Sequence, residues 1–377
     1  MGFRWSVIIV MLFAVVSCGG NKQATSQAAS APAEKTVFHW RLVTSWPKNY
    51  PGMGMAPERL AKEVDKMSDG RLKISVYGAN EIVPAMGVFD AVSLGNVEMG
   101  HSASYYWKGK IPAAVFFTTV PFGLTAQEMN GWLYYGGGLK LWDELYAKYN
   151  LVPLPGGNTG VQMAGWFNKP INSIDDIKGM KMRIPGLGGE VFERAGGTAV
   201  TIPGGEIFTS MQTGVIDATE WVGPYNDLAF GLNQVGKYYY YPGWHEPGPN
   251  LEFIINKKAW DSLPPDLQEI LTVASEAINA DTLDEYVAKN NAALQELKQK
   301  GVIIRKLPDD VLIKLSKISD QVVKEVAGDD PLAQKIYQSY VNYKNNVDEY
   351  DEISEHAYMN ARTMAEHADR GQSKVPE

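Results

Sequence analysis

A strand, a helix and a second strand in succession close as a parallel crossover, and that order occurs in two separate parts of this chain. In the first, TVFHWRLVTSW (36–46) reads as a strand ending before Pro47, and an amphipathic helix over 53–67 carries Leu60, Val64 and Met67 on one side. Ser68-Asp69-Gly70 stops that helix, and RLKISVYG (71–78) alternates Leu72, Ile74 and Val76 as a strand should. A helix through MGVFDAVSLGN then leads to a strand in VEMGHSAS. In the second part, GVQMAGWFN (160–168) and KMRI (181–184) read as strands flanking the helical turn IDDIKG, and GGEVFERAG, TAVTIP, GGEIFTSMQTG and VIDATEWV continue as helix, strand, helix, strand. NLEFIINKKAW (250–260) is one more strand. At about 340 residues the body exceeds what one core usually holds. Two α/β lobes with chain crossovers between them fit this pattern better than one oversized sheet.

The C-terminal third is helical. A long tract over 264–299 opens on Pro264 and Pro265, which suit a first turn. Asp330-Pro331 makes a second cap, and 332–370 holds neither glycine nor proline. Leu332, Ile336, Tyr340, Tyr343, Val347, Tyr350, Ile353, Ala357, Ala361 and Met364 step by threes and fours, which predicts one helix of up to roughly 55 Å. Its apolar seam needs a partner surface. Two readings stand: packing on its own body, or an arm laid across a second subunit.

The N-terminus is a targeting segment. Arg4 precedes an apolar run over 5–16, too short to span a bilayer and right for a signal-peptide core. The run ends in Val15-Val16-Ser17-Cys18, which resembles the lipobox of a bacterial lipoprotein, with Cys18 as the lipidated residue. Cys18 is the only cysteine, so the chain forms no internal disulfide. Small polar residues over 19–35 read as a flexible tether. The net charge of −8, with no basic stripe, argues against a nucleic-acid partner.

Enzymatic signatures are missing. His39, His101, His245, His356 and His367 show no metal-protease spacing, and no nucleophile elbow precedes a helix. PGLGGEVF glances at a dinucleotide loop, but its third glycine falls on Val191. Polar residues in apolar surroundings carry more. Arg183 lies between Met182 and Ile184, with a planar fork that suits a carboxylate. Gln162 sits in an apolar run, and Glu246 in the loop GWHEPG. Glu220 stands beside Trp221 in DATEWVGPYND, where a buried acid costs several kcal/mol unless a cation or hydrogen bonds compensate. Each alone reads first as a salt bridge or a wet surface residue.

Together and in this order, SWPKNYPG, YYWKGKIPAAVFFTTVPFG, GNTGVQMAGWF, IKGMKMRIPGLGGEVFERAGGT, MQTGVIDATEWVGPYND, GWHEPG and EFIINKKAWDSLPPDLQ resemble the solute-binding proteins of TRAP transporters, the DctP-type family. The likeness is strongest to the branch that binds 2-oxo or 2-hydroxy monocarboxylates such as pyruvate or lactate with a metal cation, calcium or sodium. It implies a two-lobed, periplasmic-binding-protein-like α/β fold with a long C-terminal helix. It further implies no enzyme, but a periplasmic, lipid-anchored protein that hands its ligand to TRAP membrane subunits. By position, Arg183 would clamp the ligand carboxylate. Gln162 and Glu246 would touch ligand and cation, Glu220 and the Trp221 carbonyl would hold the cation, and Asn158 and Tyr105 would lie near the ligand. The expected organisation is a signal peptide at 1–18, a tether at 19–35, one lobe from 36–157 and 221–256, the other from 158–220 and 257–310, and helices at 311–370 as a homodimerisation arm. The rivals are a binding protein for another organic acid or an amino acid, and a secreted α/β hydrolase.

Overall fold

The computed structural model describes residues 36–372; the expected signal peptide, Cys18 and the tether lie outside the described residues. Strands β1 (Phe38–Thr44), β2 (Leu72–Tyr77), β3 (Met99–Ser102), β4 (Leu151–Asn158), β5 (Gly165–Phe167), β6 (Lys181–Arg183), β7 (Thr198–Val200), β8 (Ala218–Thr219), β9 (Tyr238–Tyr241), β10 (Asn250–Asn256) and β11 (Ile303–Lys306) make two sheets. The first has the order β2-β1-β3-β10-β4 and the second β11-β9-β5-β8-β6-β7. β1 pairs parallel with β2 and β3, and β10 antiparallel with β3 and β4. In the second sheet β6 runs parallel to both β7 and β8.

The chain passes from the first sheet to the second between β4 and β5, and back between β9 and β10. It crosses again through the helix Pro265–Gln299 into β11. The helix belongs to the first sheet's core: Leu267, Leu271 and Ile278 are buried with Leu42, Leu72 and Phe253. The Ser275 hydroxyl donates to the Pro155 carbonyl of β4, and the Tyr286 hydroxyl donates to Asn226 Oδ1 at 2.7 Å. The structure thus parts from the expected residue division at two places. This helix, expected with the second lobe, packs on the first sheet, because its apolar residues face β4 and β10. β9, expected in the first lobe, is a strand of the second sheet, held by β5 and β11.

Several expected strands are shorter than the apolar runs that announced them. Only Gly165–Phe167 of 160–168, and only Ala218–Thr219 of 215–222, join a ladder. The remaining residues leave the sheet to form the crossing or the site.

The C-terminal segment is two helices, Pro331–Ile353 and Glu355–Gln372, where the sequence predicts one. Ser354 leaves helical geometry at φ −113° and ψ −99°, and its hydroxyl bonds back to the Tyr350 carbonyl at 2.9 Å. The first turns are buried on the body, and Tyr343 and Val347 beyond them pack against it half-buried. Ile336 and Tyr340 are buried, Leu124 N donates to the Tyr340 hydroxyl at 2.9 Å, and Trp132 Nε1 donates to Ser339 Oγ at 3.1 Å. Among the described residues no helix is long and apolar enough to cross a membrane.

Candidate functional site

β6 and β8 are parallel neighbours, so the residues at their carboxyl ends lie side by side. Arg183 ends β6, Glu220 follows β8, and Glu220 N donates to the Arg183 carbonyl at 3.2 Å. Two of the inter-sheet crossings pass the same spot. Gln162 lies between β4 and β5, and Glu246 between β9 and β10. They are stitched by Gln162 N to the Glu246 carbonyl at 3.1 Å and Gly243 N to the Gln162 carbonyl at 3.0 Å. A crevice outside the carboxyl ends of strands is where open α/β sheets bind ligands.

The acid beside the tryptophan is met by a cation. Arg183 Nη1 donates to Glu220 Oε1, and both side chains are 1% exposed. Arg183 Nε donates to the Ile202 carbonyl and Nη2 to the Tyr106 hydroxyl, each at 3.2 Å. Its guanidinium carbon lies 5.1 Å from the Trp221 ring centroid, and Trp221 Nε1 donates to the Tyr50 hydroxyl at 3.0 Å. The guanidinium is therefore held on three sides.

Three buried acceptors have no hydrogen-bond partner: Glu220 Oε2 and Glu246 Oε2, whose carboxylates feel the guanidinium, and Gln162 Oε1 on the crossing bonded to Glu246. Gln162 is oriented by its amide, which donates to Thr159 Oγ1 at 3.2 Å and leaves the oxygen unpaired. Burial, then the charge of Glu220, push the Glu246 carboxyl well above its usual range; Arg183 pulls it back only in part. Buried oxygens left unsatisfied beside a carboxylate pair suit a hard cation. His245 joins them: one ligand atom each from Glu220, His245 and Glu246 lie within 4.8 Å of one another. Glu220 and Glu246 thus lie with Arg183, and Gln162 is tied to Glu246 through its backbone.

The other expected residues play varied parts. Tyr105 is buried on the 3₁₀ turn Ser104–Trp107, close enough to Glu246 for its hydroxyl to favour the ionised acid. Gly186, at φ +64°, leaves room for that ring: a Cβ there would lie 3.3 Å from Tyr105 Cγ. Asn158 is spent on the backbone. Its amide donates to the Gly248 carbonyl at 3.0 Å and its oxygen accepts from Gly160 N at 2.9 Å, clamping one crossing to the other.

Four further residues escaped the sequence reading. Tyr106 meets Arg183 as described. Asp227 accepts from Val222 N at 3.1 Å, Trp166 Nε1 at 2.9 Å and the Tyr239 hydroxyl at 2.7 Å, which fixes the turn after Trp221. Burial pushes its carboxyl up to about 7 against the pull of those donors. Trp46 packs 6.2 Å from Trp221 and donates its indole N–H to His101 Nδ1 at 2.9 Å. An indole can only donate, so His101 carries its proton on Nε2 and gives it to the Gly156 carbonyl at 2.9 Å. Asp227 lies within the stretch DATEWVGPYND, yet nothing in its spacing marks it. The other three have no local signal either.

Residues 42–329 match the model of the bacterial extracellular solute-binding proteins, family 7 (DctP). The chain is 42% identical over 347 residues to the monocarboxylate 2-oxoacid-binding periplasmic protein of Nostoc sp. strain PCC 7120, covering 92% of this chain and 94% of that protein. It is similar in structure to a TRAP periplasmic solute-binding protein of Colwellia psychrerythraea with bound calcium and pyruvate. The TM-score is 0.84 and the identity 44%, over 86% of this chain and all of the other. A TRAP periplasmic solute-binding protein of Pseudoalteromonas atlantica T6c with bound sodium and pyruvate matches with TM-score 0.84 and 45% identity, over 86% and 99% of the two chains.

Proposed function

Since this chain belongs to family 7 of the bacterial extracellular solute-binding proteins, we propose that it captures a small 2-oxo or 2-hydroxy monocarboxylate together with a metal cation and delivers it to TRAP membrane subunits. The observation that carries the reading is the pair of unpaired acceptors, Glu220 Oε2 and Glu246 Oε2, beside a buried guanidinium, with a third, Gln162 Oε1, on the crossing bonded to Glu246. Arg183 clamps the ligand carboxylate. Gln162, Glu220, Glu246 and the Trp221 carbonyl hold the cation, which when bound offers its open positions to the ligand's carboxylate and neighbouring oxygen. Tyr105 walls the ligand, and Asn158 keeps the two crossings in register around it. The pyruvate bound with calcium or sodium in two relatives of 44% and 45% identity supports this assignment.

Charge supports a divalent ion. Glu220, Glu246 and the ligand exceed Arg183 by two negative charges, which calcium would cancel and sodium would halve; a desolvated site favours neutrality. The protein works in the periplasm, tethered through a lipid on Cys18, and pairs into a homodimer through its C-terminal helices. Exposed Tyr350, Ile353, Tyr358 and Met364 beyond the anchored turns support that pairing.

Calorimetric titration of the purified protein in calcium, in sodium and in chelator checks the whole. Pyruvate, lactate or a homologous acid should bind in the presence of a cation, and propionate, which lacks the second oxygen, should bind far more weakly. Failure of every 2-oxo and 2-hydroxy acid with either cation would overturn the reading.

A further inference from the structure

His245 is 1% exposed, and neither of its ring nitrogens has a hydrogen-bond partner. A buried polar group left so costs roughly 1–3 kcal/mol, so an imidazole held in that state has a use or a fault. The surroundings argue for a use, because the sequence keeps the ring where it is. Trp244 packs at 5.4 Å on one side. On another, Gly188 in the first turn of the helix Gly186–Arg194 gives up its side chain: a Cβ there would lie 2.9 Å from His245 Cβ. The glycine stretch that fails as a dinucleotide loop is thus a seat for the two pocket rings, Gly186 under Tyr105 and Gly188 under His245.

Nε2 of His245 lies 3.4 Å from Glu220 Oε2, and Oε2 is itself unpaired. Two atoms that face each other at that separation without bonding are spaced as neighbouring ligands of one ion. Donors at right angles on an octahedral ion stand about 3.0–3.5 Å apart for bonds of ~2.1–2.5 Å. We propose that His245 is a nitrogen ligand of the cation, so that the site takes first-row transition dications, manganese and cobalt among them, as well as hard ions. This rests on the cation-assisted reading above.

The chemistry follows from the donor types. Carboxylate and amide oxygens suit calcium, sodium and manganese, whereas imidazole adds affinity that rises from manganese towards nickel and copper. A neutral imidazole brings no charge, so the balance that favours a divalent ion is untouched. The competing arrangement is a protonated His245 simply paired with Glu220, which would repel the ion rather than bind it.

The test loads manganese(II), with and without pyruvate, onto intact protein labelled with ¹⁵N-histidine, and reads pulsed electron paramagnetic resonance. A directly bonded ¹⁵N coupling is expected, with no variant needed. In parallel, calcium and cobalt(II) are titrated into wild type and His245→Gln. Calcium affinity should change little, because the amide oxygen replaces the lost donor. Cobalt affinity should fall at least the tenfold that even an outer-shell partner is typically worth. Bound manganese without the coupling, no manganese binding at all, or equal losses for both metals would each overturn the proposal. If calcium supports pyruvate binding in those cases, the transport reading stands without it; if no cation supports pyruvate binding, both fall together.

Discussion

Arg183 and Glu220 form a buried ion pair that engages only one carboxylate oxygen, leaving Glu220 Oε2 without a partner. Removing one member of such a pair strands the other, which typically costs 3–5 kcal/mol, whereas replacing both by neutral groups is often tolerated. Arg183→Met should therefore lower stability by about that amount, and Arg183→Met/Glu220→Gln should recover most of it. Neither variant should bind pyruvate. A charged contact of about 1.5–3 kcal/mol corresponds to at least a tenfold loss of affinity. Urea titration and calorimetry separate the two effects, and a double variant that binds like wild type would remove Arg183 from the ligand's contacts.

Lys108 and Glu190 join the two sheets' halves of the site at its edge. Lys108 follows Tyr105 and Tyr106, Glu190 lies on the helix behind Arg183, and their charges meet at 3.0 Å. A cleft of about 240 Å³ has Tyr105, Tyr106, Lys108 and Glu190 among its walls. Glu190 is also held by Arg194, which reaches on to Glu325 at 2.7 Å. A pair this exposed is worth about 0–1 kcal/mol, so Lys108→Ala should raise the ligand's dissociation rate by no more than about fivefold. The wild-type rate should rise with salt and the variant's should not. Stopped-flow tryptophan fluorescence reads both, and a salt dependence unchanged in Lys108→Ala would deny the pair any part in retention.

How far the site was legible depended on what kind of signal each residue leaves. Arg183 between Met182 and Ile184, and Glu220 beside Trp221, break an apolar run, and a break is visible in one dimension. β2, whose Leu72, Ile74 and Val76 alternate, and the apolar runs of β1 and β10 were equally legible. His245 leaves no such mark, for Glu220, which it faces, is distant in sequence and only the β9–β10 crossing brings them together. β9 was misplaced for a similar reason. The sheet that its four successive tyrosines join is decided by β5 and β11, neither adjacent in sequence.

Glu252 makes stability depend on pH away from the site. On β10 it accepts from Trp107 Nε1 at 2.6 Å and the Tyr146 hydroxyl at 2.8 Å, and burial pushes its carboxyl up to about 7. An unfolded glutamate titrates near 4.3. Between those values the folded protein holds the proton and the unfolded chain does not, so stability falls as pH rises from about 4.3 to 7. Glu252→Gln fills the same space; its oxygen accepts from Trp107 while the Tyr146 hydroxyl turns to accept from its amide. The variant should flatten this part of the profile and be more stable than wild type at pH 8. Thermal melts across pH 5–8 measure it, and identical slopes would show that Glu252 stays ionised.

The C-terminal helices give the last prediction. Burial along Pro331–Ile353 stops after the first turns: Leu332, Ala333, Ile336 and Tyr340 are buried, while Tyr350 and Ile353 are 65% and 78% exposed. The following helix leaves Tyr358 at 61% and Met364 at 67%. Apolar side chains exposed in water along one seam need a partner, and among the described residues none buries Tyr350, Ile353, Tyr358 or Met364. A cut after Val347 keeps the anchored turns, Tyr340 on Leu124 N included, and removes the exposed stretch at the cost of one polar contact, Asp351 to Glu128. The shortened protein should melt within a few degrees of the full chain at matched low concentration and bind its ligand. Multi-angle light scattering should report a dimer for the full mature chain and a monomer for the truncated one. A cut before Pro331 would mislead, since it also strips Ile336 and Tyr340 from the core and confounds lost assembly with lost folding. A full chain that runs as a monomer across micromolar concentrations would leave the seam without the partner assigned to it.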